Sequence, residues 1–210
     1  MKEVIDELKE ELKDVSLTAV SKMMPKEKIM AAYELGIRDF GENYVQELIQ
    51  KMDTLPKDIR WHMIGHLQTN KVKELIKRNI YLIESVDSIK LVKEINKEAI
   101  KNDKVVNILV EVNIADDENK TGCNKNDLPD LIKVIKELTN INLKGLMCIA
   151  PHTDNLELIR KAFKEMAVLK KKYKLEWLSM GMSGDYKIAL EEGTDMVRIG
   201  TKIFGERVYK

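Results

Sequence analysis

The chain has 210 residues, 44% of them apolar and 5% aromatic, and its 36 Lys plus Arg against 35 Asp plus Glu leave a formal net charge of +1. That balance fits one soluble globular domain and disfavours a strongly basic nucleic-acid binder, an acidic disordered chain and a disulfide-stapled secreted module. Thirty of the cations are lysine and six are arginine, so a functional lysine has to be picked out by its setting rather than its presence.

Residues 1–14 carry Val4, Ile5, Leu8 and Leu12 at helical spacing between charges, which predicts an amphipathic helix packing on whatever follows. The rhythm then changes. Leu17–Val20 reads as a short strand, and Pro25 opens a helical segment that runs to Gly36. The same alternation continues: Ile37–Phe40 before Tyr44–Met52, Trp61–Ile64 before Asn70–Arg78, and Tyr81–Ile83 before Ser88–Lys101. In the second half Val105–Val112 precedes a loop through Gly122 and a helix Leu128–Leu138, and Leu143–Ile149 precedes Leu156–Tyr173. Leu175–Leu178 and Met196–Ile199 are the last two strands, separated by a helix Asp185–Glu192, and a short segment Lys202–Arg207 trails. The opening residues lack the apolar core of a signal peptide, and no run approaches the ~20 apolar residues of a membrane span. Two cysteines, Cys123 and Cys148, suit a reducing compartment, so the expectation is a cytoplasmic protein.

Eight strand-like runs, each followed by a helical one, predict a single (β/α)8 TIM barrel over residues 15–210 with the extra helix at its amino terminus. The rival is an open doubly wound sheet. A dinucleotide-binding version of that sheet wants Gly-x-Gly-x-x-Gly after its first strand, where this chain has Val20-Ser21-Lys22-Met23-Met24-Pro25. Barrel sites lie where strands end, commonly with a phosphate held by the loops after strands seven and eight. At those ends the sequence places Lys22, then Gly41-Glu42-Asn43, Gly65-His66, Ser85 and Asp87, Asn113, His152, Ser179 to Asp185, and Gly200-Thr201. Lys22 falls in line with Val20 under period-two alternation. A lysine so carried on a rim can be desolvated and act as an amine nucleophile, although a solvated loop lysine has the same spacing. Gly181-Met182-Ser183-Gly184-Asp185 and Gly200-Thr201 each open a helix and can cradle an anion, or serve ordinary capping. An amine on strand one facing a phosphate cradle on strands seven and eight points to a phosphorylated aldehyde, pyridoxal 5'-phosphate (PLP) above all.

Together Ala19-Val20-Ser21-Lys22, Phe40-Gly41-Glu42-Asn43-Tyr44-Val45-Gln46-Glu47, Trp61 to Lys71, Gly145-Leu146-Met147, Leu178 to Ser183 and Val197-Arg198-Ile199-Gly200-Thr201 resemble the pyridoxal-phosphate homeostasis protein family, in order over residues 15–208. The resemblance implies a fold type III barrel like the amino-terminal domain of alanine racemase. It implies PLP held as an internal aldimine on Lys22, Ser183 and Gly200-Thr201 at the phosphate, Arg198 at the pyridine nitrogen, Asn43 as a further contact, and Val20 and Met147 near the ring. It also implies a protein that stores, buffers or delivers the cofactor to PLP-dependent apoenzymes.

An arginine at the pyridine nitrogen is cationic and donates only, so it favours the unprotonated ring, a weak electron sink that suits storage. Racemases of the related fold share that arginine, so the alternative is a PLP-dependent amino-acid racemase, which needs a second acid/base from Tyr44, Tyr186, His62 or His66. The cationic run Lys170-Lys171-Lys172-Tyr173-Lys174 ends a helix, where cations oppose the macrodipole, and calls for no nucleic acid. His62 and His66 sit on a strand and its loop, where four-residue spacing does not bring ligands together, so no metal is expected. Neither membrane nor nucleic acid is indicated, and a barrel without the second domain of the racemases lacks their dimer interface, so the expected state is a monomer.

Overall fold

A computed structural model describes residues 1–115 and 121–206. The alternation closes on itself as eight parallel strands in sequential order: β1 (Ser16–Val20), β2 (Asp39–Glu42), β3 (Arg60–Met63), β4 (Leu82–Val86), β5 (Val106–Glu111), β6 (Ile141–Met147), β7 (Trp177–Ser179) and β8 (Met196–Ile199). β8 pairs back on β1 with Thr18 opposite Arg198 and Ala19 opposite Ile199. The connecting helices are α2 (Lys26–Glu34), α3 (Val45–Thr54), α4 (Thr69–Ile76), α5 (Ile89–Lys101), α6 (Leu128–Lys136), α7 (Leu156–Tyr173) and α8 (Tyr186–Glu191), with α1 (Lys2–Leu12) before the barrel and α9 (Thr201–Phe204) after it. This is a (β/α)8 TIM barrel. Arg207, the expected end of the trailing helix, lies outside the described residues. Among the described residues no helix is long and apolar enough to cross a membrane.

Several strands have other bounds than the sequence predicts, β7 among them, which begins at Trp177 rather than Leu175. Gly36, at φ 92°, turns the chain and Ile37 is used in the outer core, so the ladder of β2 with β3 begins at Asp39 opposite Arg60. β4 continues past Ile83 through Glu84 and Ser85 to Val86, all five of its residues buried, because Glu84 finds its partners inside the barrel. β6 starts two residues early, at Ile141, and ends at Met147.

Most of the apolar core lies between the strands and the helices, where Phe40 meets Trp61 with ring centroids 5.8 Å apart. α1 joins this layer through Ile5, Leu8 and Leu12, each burial contributing about 1.5–3 kcal/mol. It also grips the end of the chain: Tyr186 of α8 donates its hydroxyl to Glu11 at 2.5 Å, and Lys202 of α9 reaches Glu7 at 3.2 Å. Inside the barrel Leu82, Leu109, Met147 and Met196 form a small apolar plug. Polar side chains share that interior, including His62, Glu84, Ser179 and Arg198, each 4% exposed or less.

The turn after β1 is clasped from α3. Lys51, 5% exposed, uses all three of its protons, donating to the Ser21 carbonyl at 2.8 Å, Glu42 Oε1 at 2.7 Å and Glu47 Oε1 at 2.6 Å. Glu47 Oε1 also accepts the Met23 amide at 2.7 Å, and Met23 holds a left-handed φ of 60° that a side chain of its size rarely adopts. Residues on both sides of Lys22 are thereby fixed. Glu42 is fully buried; its Oε1 accepts Ser21 Oγ at 2.6 Å while its Oε2 has no partner. Burial pushes its carboxyl up to about 7 against the pull of Lys51 and Ser21.

Two outcomes test this architecture. A Cβ at Gly145 would lie 1.8 Å from the Trp177 carbonyl oxygen across the β6–β7 pairing. Gly145→Ala should therefore cost about 3 kcal/mol, the top of the range for overpacked sites, which in a chain of this size lowers Tm by about 6–12 °C in a calorimetric scan. A carboxyl that holds its proton in the folded state but loses it when unfolded contributes stability that is full at low pH and is lost as pH rises toward its folded value. Glu42→Gln should flatten the fall in Tm between the ordinary carboxyl value of 4.5 and about pH 7, measured as Tm against pH for both proteins.

Candidate functional site

The carboxyl ends of the strands surround a cavity of about 280 Å³, at the small end of ligand pockets. Val20 ends β1 and Lys22 follows it on the same interior side; Asn43 follows β2; Arg198 rises from β8. Ser183 comes from the loop between β7 and α8, and Gly200 and Thr201 from the start of α9. Seven of the eight residues singled out in the sequence thus line one cavity. Met147 does not: it is fully buried in the interior plug with Leu82, Leu109 and Met196. Because β6 ends at Met147, the next interior position is Ile149, and it is Ile149 that borders the cavity. Ile64 and Met182 add apolar walls that the sequence reading passed over; Ile64 was detectable as the interior position two beyond His62.

The cavity's polar groups converge from opposite sides. Arg198 is 4% exposed, with Nη1 donating to Ser179 Oγ at 2.7 Å and Nη2 to the Cys148 carbonyl at 2.8 Å, so the guanidinium is locked into the cavity floor. Its own amide donates to the Gly181 carbonyl at 2.9 Å, tying β8 to the Ser183 loop. Gly181 has φ 97° and a Cβ there would lie 2.6 Å from that of Ala189, so only glycine fits this turn. The loop before α8, at Ser183 and Gly184, and the start of α9, at Gly200 and Thr201, both border the cavity. Asp185, which accepts the Met182 amide at 2.5 Å, is pushed up by burial against that hydrogen bond and the field of Arg198. Asn43 also borders the cavity, and its buried Oδ1 has no hydrogen-bond partner among the described residues.

The four candidates for a second acid/base lie off this cavity. His62 is fully buried inside the barrel between Glu84 and Asp39, and His66 is half exposed beside Asp87 at 3.3 Å. Tyr44 is 57% exposed, and Tyr186 is committed to Glu11 and Lys202. Glu47, Lys51 and Glu84 were not picked out as site-forming from the sequence. The one available signal was the i,i+4 spacing of Glu47 and Lys51 on a helix.

Residues 1–208 match the family model described as alanine racemase, N-terminal domain. A pyridoxal phosphate homeostasis protein from Aquifex aeolicus is 42% identical over 200 residues, covering 92% of this chain and 87% of the relative. The protein of that name from Escherichia coli K12 is 36% identical over 205 residues, covering 93% and 87%. Among solved structures, PipY of Synechococcus elongatus with PLP bound superposes with a TM-score of 0.88 at 33% identity, over 97% of this chain and 99% of that one. An alanine racemase from Clostridium difficile shares the fold at TM-score 0.81 and 16% identity, with only 57% of its chain covered. Similarity of this extent, over nearly the whole chain, makes it a member of the pyridoxal phosphate homeostasis protein family.

Proposed function

We propose that this protein binds PLP in the cavity above Arg198 and stores, buffers and delivers it, with Lys22 as the covalent attachment point. The observation that carries the reading is the convergence of Lys22, Ser183, Thr201 and Arg198 on one cavity. PLP supplies an aldehyde that a primary amine takes up with loss of water. In that step the deprotonated Nζ of Lys22 adds to the aldehyde carbon, both amine hydrogens leave with the carbonyl oxygen as water, and a C=N bond, a Schiff base, replaces C=O. The clasp of Lys51 and Glu47 on residues 21 and 23 holds the amine in place for this. Ser183, Thr201 and the backbone amides of the loops that carry them bind the phosphate. Arg198 donates toward the ring nitrogen and, having no lone pair to accept a ring N–H, keeps that nitrogen unprotonated. Asn43, on the cavity wall, adds a further contact to the cofactor.

Storage is favoured over racemisation by the placement of Tyr44, Tyr186, His62 and His66, none of which lines the cavity. We further read the protein as a cytoplasmic monomer whose partners are PLP and the apoenzymes that receive it, with no nucleic acid or membrane involved. The near-neutral charge and the two buried thiols support that setting. Burial pushes the Cys123 thiol up to about 12, so it stays protonated and unreactive.

Borohydride reduction of the PLP-loaded protein followed by peptide mapping should place the pyridoxyl group on Lys22, and Lys22→Ala should remove the visible absorption band. A label on another lysine overturns the assignment. Ser183→Ala should weaken PLP binding by roughly 10- to 100-fold, as expected for loss of a hydrogen bond to a charged group, read by fluorescence titration. Loaded protein mixed with an apoenzyme should lose its visible band as the enzyme gains activity; sustained turnover of free amino acids by the pure protein would instead favour the racemase.

A further inference from the structure

Beneath the cavity floor, side chains of alternating charge cross the barrel. Arg198 Nη1 donates to Ser179 Oγ at 2.7 Å, and Ser179 passes its single proton to Glu84 Oε2 at 2.6 Å. Glu84 Oε1 faces His62 Nδ1 at 2.7 Å, and His62 Nε2 faces Asp39 Oδ1 at 3.2 Å. Asp39 in turn accepts Arg60 Nε at 2.7 Å. Asp39 and Arg60 line a second cavity, of about 450 Å³, at the opposite mouth of the barrel. The chain therefore runs from the floor of the cofactor cavity to the far mouth.

Its logic follows from donor counting. Both ring nitrogens of His62 face carboxylate oxygens, which only accept, so both must carry protons and the ring is an imidazolium. The groups around it agree. Asp39 comes from β2, Glu84 from β4, the Tyr81 ring stands 5.4 Å away just before β4, and Arg60, the one nearby cation, is bound to Asp39. Burial alone would depress the imidazolium, but the two carboxylates outweigh it and hold His62 above its ordinary value; Glu84 in turn is held below its own value against burial by His62, Arg198 and Ser179.

Glu84 thus stands between two cations, in direct contact with His62 at 2.7 Å but 3.9 Å from Arg198. A fully buried carboxylate with no ion partner is strongly unfavourable. While His62 is charged that need is met, and Arg198 is free to bind only the neutral Ser179 hydroxyl and Cys148 carbonyl, leaving its charge to the cavity. Without a charged His62, Glu84 would draw the guanidinium down and out of the cavity floor.

We propose that His62 and Glu84 are positioning residues for Arg198: the imidazolium occupies the Glu84 carboxylate and so keeps the guanidinium presented to the cofactor cavity, with Asp39 at the far mouth setting how firmly His62 keeps its proton. This rests on the reading of the cavity as the PLP site.

The test uses full-length protein loaded with PLP, comparing dissociation constant and visible spectrum across a pH series, with Tm of the unloaded protein measured alongside. His62→Gln should weaken PLP binding about tenfold and shift the visible band at neutral pH. Glu84→Gln in the same chain should restore both, since no buried carboxylate is left to compete for Arg198. A purely structural role predicts no such rescue. Asp39→Asn leaves the cavity untouched and should move the midpoint of the spectral change to lower pH, because His62 loses one of the two charges that hold its proton. It carries the test if His62→Gln does not fold. Wild-type binding and spectrum in His62→Gln, absence of rescue by Glu84→Gln, or an unmoved midpoint in Asp39→Asn each overturn the proposal. Borohydride labelling run in parallel separates the two readings: no label on Lys22 of the wild-type protein removes the PLP site itself, whereas a labelled Lys22 with unaltered variants removes only the positioning role.

Discussion

The pairing of β1 with β8 brings the two ends of the barrel sequence into one ladder, Ser16 through Ala19 against Met196 through Ile199. Everything at the site depends on it. Lys22 lies two residues beyond β1 and Gly200 one beyond β8, so closure of the barrel sets the amine beside the anion-binding loops without further machinery. The same register puts Thr18 opposite Arg198, one layer below, which makes the floor of the cavity a consequence of the ladder that builds its rim. Around this frame two clasps act from outside: Lys51 and Glu47 on the Lys22 turn, and α1 on the helices that begin at the loops of the cradle.

Barrels of this kind are ordinarily filled by layers of branched apolar side chains. Here the buried apolar plug is only four residues, and the network under the cavity is ionic. Replacing a buried ion network by well-packed apolar groups is often neutral or stabilising, so stability alone gives little reason for the layer. A cavity floor that must present a fixed cation does give one. Arg198 can be buried and still charged because Ser179, the Cys148 carbonyl and the field of Glu84 take the place of water.

Much of this was legible in the sequence because topology does the placing. Once eight strand–helix units are counted, polar residues at strand ends must face one mouth, and Lys22, Asn43, Ser183, Arg198, Gly200 and Thr201 all do. What escaped did so for identifiable reasons. Met147 was placed near the ring by the family resemblance; β6 ends at Met147, which leaves that side chain in the interior plug below the cavity. Glu84 looked like the end of a strand, since an acid in an apolar run normally marks one; its partners, 22 and 95 residues away, exist only after closure. Lys51 was indistinguishable among thirty lysines until its three acceptors could be seen.

The β1–β8 ladder also has a consequence in time. Its contacts join residues about 180 positions apart, Ser16 to Met196, and contacts that close so long a loop form late and slowly. An open chain has no cavity, so a ligand of the cavity binds only the closed form and stabilises it by mass action, by about 2.7 kcal/mol at a hundred times its dissociation constant. The abundance of the folded protein therefore rises with the free ligand, and the barrel's lifetime becomes a record of how much of that ligand has been present.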